Sequence, residues 1–228
     1  EDLLLMKTIT NIVYNFVRKQ LAKNNMGQGK AKVYSWNGLA WKKTGQDLFG
    51  EYEGMNRFGR WRQLDLSGDG KTLAVGSTDI EGGYVKIFKR NDNEDLWSQI
   101  GETIWGDTDG DWAGRVTLNY DGTIVGIGAL RDRGYGSKFS IGYDRGAVKV
   151  FKYNGSSWVQ RGQEIQGHTV GDIFGGKISI SDSGDTLAIG AGWSDTRGNL
   201  TGQVKVLRFD HNSLEWKQIG ADLYGQTT

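Results

Sequence analysis

Acidic side chains at alternate positions beside glycine are the residues of this chain best placed, by type and spacing, to do chemistry. Asp65, Ser67 and Asp69 lead into Gly70 in the run Asp65-Leu-Ser-Gly-Asp-Gly70. Oxygen ligands at alternate positions ahead of a glycine are what a calcium loop requires. Asp107, Asp109 and Asp111 repeat the alternation, and the matching loops carry Glu51 and Glu53 upstream and His168 and Asp172 downstream. Against calcium, Asn119-Tyr-Asp121-Gly122 is too short and Ser181-Asp-Ser-Gly-Asp185 is out of register. No later acid stands where a bidentate ligand belongs. A tight hairpin turn and a solvated loop are the favoured readings, with calcium the one cofactor left open.

A third set is Asp79, Asp132 and Asp195, each a few residues beyond a small apolar segment. They are expected on one rim, together with Arg131, Arg133, Tyr135, Trp193 and Arg197. Loops on a rigid scaffold are where binding usually resides, and aromatic and Arg side chains favour contacts. The competing reading is that each Asp only caps its own loop through bonds to backbone. Signatures of catalysis are missing. The two histidines, His168 and His211, fall in expected turns, and nothing supports a Ser-His-Asp arrangement. No Gly-rich phosphate loop enters a helix. Acid pairs for glycoside hydrolysis are indistinguishable here from turn acids. The expectation is a chain with no catalytic residue and no enzyme activity.

The elements that hold these loops follow from a repeat. Trp, three residues, Gly, four residues, Gly occurs as Trp41-Gly45-Gly50, Trp97-Gly101-Gly106, Trp158-Gly162-Gly167 and Trp216-Gly220-Gly225. A period of roughly 60 residues means one supersecondary unit used repeatedly. Each Trp follows a β-prone run: residues 31–36, 84–89, 147–152 and 203–208. Asn37-Gly38 and Asn154-Gly155 are strong hairpin signals between run and Trp. Three units continue with an aromatic-small pair (Phe58-Gly59, Trp112-Ala113, Phe174-Gly175), a Gly/Asp turn and a small apolar strand. Glycine and alanine inside a strand point to another backbone close by. The Trp residues are read as packing between sheets, with an aromatic stripe for sugars as the lesser alternative.

These second hairpins resemble FG-GAP repeats. Leu66-Ser-Gly-Asp-Gly-Lys-Thr-Leu-Ala-Val-Gly-Ser77 and Ile180-Ser-Asp-Ser-Gly-Asp-Thr-Leu-Ala-Ile-Gly-Ala191 are similar to the core of that repeat, and Leu118–Ala129 more loosely. The resemblance covers about residues 31–225. It implies a β-propeller, commonly seven-bladed, in extracellular or cell-surface proteins that bind other molecules.

Composition bounds the partners. The 228 residues hold 36 Gly, no Pro and no Cys, so Gly, Asn and Asp make the turns and no disulfide contributes. Net charge is +1, so no global field selects nucleic acid or an anionic membrane. No apolar run is long enough for a transmembrane segment. Residues 1–28 carry Ile9, Ile12, Val13, Phe16, Val17 and Leu21 at helical spacing, which predicts an amphipathic helix. It would cap the array or lie on a membrane surface through Lys7, Arg18, Lys19 and Lys23.

The fold expected is all-β: a β-propeller of four-stranded antiparallel blades with an N-terminal α-helical extension. Three full blades (31–82, 83–146, 147–202) are followed by a half blade (203–228). The function expected is non-catalytic binding, adhesion or scaffolding with a protein partner. That partner would dock on the chain or complete the ring in trans. The alternative is a carbohydrate-binding or hydrolytic propeller.

Overall fold

A computed structural model describes residues 29–51, 58–59, 63–78, 82–107, 111, 113–129, 145–169, 171–194 and 201–226. Among them the chain is all strand and turn. The helix expected over residues 1–28 lies outside the described residues. Strands β1 (Lys30–Trp36) and β2 (Trp41–Phe49) form a two-stranded antiparallel sheet. The first full sheet orders β3 (Leu64–Leu66), β4 (Thr72–Ser77), β5 (Tyr84–Asn91) and β6 (Leu96–Gln99), with β7 (Ile104–Trp105) extending the β6 side along β5. The second repeats this with β8 (Ala113–Leu118), β9 (Ile124–Ala129), β10 (Ala147–Tyr153), β11 (Trp158–Gln160) and β12 (Ile165–Gln166). The third has β13 (Phe174–Ile180), β14 (Thr186–Ala191), β15 (Gln203–Asp210), β16 (Glu215–Gln218) and β17 (Leu223–Tyr224). The architecture is propeller-like, with successive four-stranded antiparallel sheets.

The blade boundaries differ by half a unit from those expected. Ser77 pairs with Tyr84 and Ala191 with Gln203, so each Gly/Ala strand belongs with the Trp hairpin that follows it. Sheets therefore run from 64 to 105, 113 to 166 and 174 to 224. The half blade is the N-terminal β1–β2 pair, and 203–224 completes the third sheet.

Apolar residues on both faces of the strands build a core between sheets. Ala31, Val33 and Leu48 of the two-stranded sheet pack with Leu73, Val75, Tyr84, Phe88 and Trp97. Val85 and Ile87 pack with Val116, Val125, Ile127 and Trp158. Val148 and Val150 pack with Leu187, Ile189, Leu207, Phe209 and Trp216. Each cluster joins two successive sheets, so no sheet buries its faces alone.

The Trp-Gly pattern is the lock between neighbours. The indole N–H of Trp97 donates to Thr44 O at 3.3 Å, that of Trp158 to Ile100 O at 2.9 Å and that of Trp216 to Arg161 O at 2.9 Å. Each ring lies on the first glycine of the preceding copy. A Cβ on Gly101 would stand 2.6 Å from Trp158 Cδ1, inside any tolerable contact. Gly220 has a similar φ of +68° but nothing within 4 Å, and among the described residues no following sheet covers it. Trp41, with no preceding copy among the described residues, is 38% exposed. Alanine at either glycine carries the positive-φ strain of about 1–2 kcal/mol. Gly101→Ala is expected to lose at least a further ~1–3 kcal/mol by overpacking the indole. Urea denaturation of Gly101→Ala and Gly220→Ala measures the difference; equal losses would contradict the lock.

Candidate functional site

The edge strands β3, β8 and β13 of successive sheets line an open groove. Its volume is about 430 Å³, and it is lined by Asp65, Arg115, Thr117, Tyr120, Lys177, Ser179 and Asp182 among others. Arg115, Gly176 and Lys177 also line a wider cleft of about 630 Å³ at one end, with Ile173, Trp193 and Tyr224. These two cations therefore stand where groove and cleft meet. Backbone irregularities put them there: the ladder shifts between Ala113 and Arg115, and between Phe174 and Lys177. A bulge re-aims the side chain beside it. Arg115 then pairs with Gly128 and Lys177 with Gly190, at matching levels of successive sheets.

Two residues further along each edge strand, about 7 Å at strand rise, Thr117 and Ser179 line the same groove as Asp65. Asp65 Oδ2 accepts the Leu118 N–H at 2.6 Å, and Thr117 Oγ1 accepts the Ile180 N–H at 3.3 Å. Ser179, in the third sheet, is exposed. Asp65 is thus tied to the next sheet. Burial pushes its carboxyl above the ordinary aspartate range, against hydrogen bonds from the Leu118 and Leu66 N–H groups and the Thr117 hydroxyl. A carboxyl with raised affinity for its proton, in a polar groove with two cations, is a candidate general base or acid.

Ser67 Oγ donates to Asp69 Oδ1 at 2.5 Å and accepts the Thr72 N–H at 2.9 Å, while Asp69 Oδ1 accepts the Lys71 N–H at 2.9 Å. Asp65 is directed to Leu118 instead of towards these two. The oxygens of the Asp65, Ser67 and Asp69 run are consumed in a hairpin turn and a contact between sheets. Asp107 pairs with Lys149, and Asp111 is buried. Asp109 and Glu53 lie outside the described residues. Among the described residues no group of three His, Cys, Asp or Glu is placed to hold a metal; the described acids stand in a turn, an ion pair or a buried position.

Of the rim set, Trp193 is described: it is 54% exposed and lines the wider cleft. Asp79, Arg131, Asp132, Arg133, Tyr135, Asp195 and Arg197 lie outside the described residues. Sequence reasoning missed Arg115 and Lys177, although the type signal was present just after Ala113-Gly114 and Phe174-Gly175-Gly176.

A second missed feature is the Val-Lys pair in three of the β-prone runs. Lys86 Nζ reaches Glu51 Oε1 at 2.9 Å. Lys149 Nζ sits between Asp107 and Glu164, the latter at 3.2 Å. Burial alone would lower the Lys149 pKa, but hydrogen bonds to Asp107 and Glu164 outweigh it and raise it. A raised lysine pKa contributes stability that is full below the unfolded value of about 10.4 and is lost as pH rises through the folded value. Melting temperatures of the wild type and Lys149→Met are therefore expected to converge only in strongly alkaline buffer. A constant gap from about pH 8 to about pH 12, across the lysine range, would contradict this link.

No family model and no curated protein matches the chain. Solved structures do. A provisionally named 6-phosphogluconolactonase from Bacteroides uniformis is similar at a TM-score of 0.56 and 15% identity, over 86% of this chain and 49% of that one. A second from Bacteroides fragilis is similar at 0.51 and 15%, over 87% and 52%. The β-propeller domain of the Trilobed protease from Pyrococcus furiosus gives 0.38 and 10%, over 89% and 56%. At such identities the likeness concerns fold, and the chain spans about half the length of the first two proteins. It still corrects one expectation. A non-catalytic adhesion or scaffold module was inferred from the architecture, and both Bacteroides proteins, similar at TM-scores above 0.5, are named as enzymes. This architecture is thus no ground for excluding catalysis, and the non-catalytic reading is withdrawn.

Proposed function

We propose that this chain forms part of a hydrolytic propeller that cleaves a small anionic ester or lactone at the end of this groove. The observation that carries the reading is the convergence of Arg115, Lys177 and the raised-pKa carboxyl of Asp65 on one groove. Arg115 and Lys177 would hold the substrate's anion and the oxyanion that develops on its carbonyl. Asp65, ionised, would take a proton from water as that oxygen adds to the carbonyl carbon. When the tetrahedral intermediate collapses, the C–O bond to the leaving alkoxide breaks and Asp65 returns the proton to it. The product is a hydroxy acid, or an acid and an alcohol. The fold likeness to proteins named as lactonases supports this by analogy only. The resemblance to FG-GAP repeats adds to the reading of the hairpins and says nothing of the substrate.

Lys177 is exposed, so its replacement tests the role without unfolding the chain. Lys177→Met is expected to raise KM for an anionic lactone about tenfold, the scale of one charge-assisted hydrogen bond, and to leave a neutral lactone unchanged. Equal effects on both substrates, or no hydrolysis of any lactone or ester by the wild type, would overturn the proposal.

A further inference from the structure

We infer that this chain associates head to tail, the outward face of its third sheet receiving the β1–β2 hairpin of a second copy. The lock between sheets is directional. A tryptophan of the following sheet lays its indole on the first glycine of the preceding Trp-Gly copy. It donates to the carbonyl just before that glycine: Trp97 to Thr44 O, Trp158 to Ile100 O and Trp216 to Arg161 O. At one end of the array Trp41 offers the ring and its N–H, with no preceding copy among the described residues. At the other end Ile219 O and Gly220 offer the seat, where a Cβ on Gly220 would meet nothing within 4 Å. Ring and seat are the same parts, at the same repeat positions, that close the three internal joints.

The surroundings of both ends agree. Val85 and Val148 are fully buried, whereas Val204 at the same repeat position of the third sheet is 38% exposed. Ile219 and Leu223 are exposed around the seat, and Trp36 and Leu39 in the hairpin that carries Trp41. Clustered exposed apolar residues mark an interaction surface. The two surfaces differ, so the contact is heterologous: copies joined this way form a ring where the rotation closes and a longer array where it does not. One part of an internal joint is lacking. Gln163, just after its seat glycine, donates from Nε2 to Trp216 O at 2.8 Å and accepts the Trp216 N–H on Oε1 at 2.8 Å. Gln46 does the same for Trp97. Ala221 holds that place at the tail, so the joint between copies is weaker than these two. The lock belongs to the end of β16, not to the strands that line the groove, and is independent of the hydrolytic reading.

The test is light scattering over a concentration series. The mean mass of the wild type is expected to rise with concentration. Trp41→Ala removes the ring. Gly220→Asn fills the seat with a residue that tolerates positive φ. Each variant alone is expected to stay monomeric. An equimolar mixture of the two is expected to form dimers and nothing larger, because each pair retains one ring and one seat. Ala221→Gln restores the two hydrogen bonds and is expected to tighten association about tenfold, the scale of two such bonds. A wild type that stays monomeric throughout the series, single variants that associate as the wild type does, or a mixture that stays monomeric would overturn the inference.

Discussion

Asp65→Asn is expected to lower kcat for an anionic lactone by a factor of about 10²–10⁴, the usual contribution of a general acid–base group. The variant separates chemistry from structure. The amide would keep an oxygen to accept the Leu118 N–H that Asp65 now accepts at 2.6 Å, so the contact between sheets survives. It removes only the group that exchanges protons. Stability should even improve slightly near neutral pH. A carboxyl whose folded pKa is raised contributes stability that is full below the unfolded value of about 3.9 and is lost as pH rises through the folded value. At neutral pH Asp65 therefore counts against folding, and the amide does not. A loss of activity together with a lower melting temperature would mean that Asp65 is a structural link and not a catalytic residue.

Trp158→Ala is expected to destabilise the chain by about 3–5 kcal/mol, the range for deleting a large buried aromatic. Its ring is 7% exposed, it donates to Ile100 O, and it lies 5.1 Å from the Tyr153 ring at 41°. The contact with Ile100 spans the first and second sheets, so its loss separates two layers that cannot bury their faces otherwise. For a chain of this size that energy is roughly 6–20 °C in melting temperature. Trp41→Ala is the control. Trp41 is 38% exposed and lies against Trp36 at 5.4 Å with the rings tilted by 57°, and among the described residues no preceding sheet covers it. It should change stability by less than about 1 kcal/mol. Urea denaturation of both variants is the measurement, and comparable losses would contradict the role of the tryptophan repeat.

That repeat was legible because it is a local code: Trp fits only where the preceding copy offers glycine, as Trp158 does on Gly101. The phase of the sheets was not legible from the repeat alone. A hairpin pattern states that two strands pair, not which hairpin lies beside it. Connection lengths held a clue, since residues 78–83 join β4 to β5 by a shorter path than 50–63 join β2 to β3, and short connections usually join neighbours. The long stretch 130–146 between β9 and β10 hides it in the second copy.

The candidate site was harder to read for a different reason. Arg115 and Lys177 align in space although one glycine more separates Lys177 from its sheet's start, a shift absorbed by the bulges. Asp65 stood out in the sequence for its place in a candidate calcium loop. Its spacing to Ser67 and Asp69 suggested chelation, whereas the strand directs it to Leu118 of the next sheet.

The most direct measurement is the pH dependence of kcat/KM for one anionic lactone, taken with the wild type and with Asp65→Asn. The expected result is turnover by the wild type that rises through an inflection above the ordinary aspartate range, with that inflection gone and the rate collapsed in the variant. Wild-type turnover indistinguishable from buffer, or an inflection that persists without the Asp65 carboxyl, would contradict a catalytic groove between these sheets.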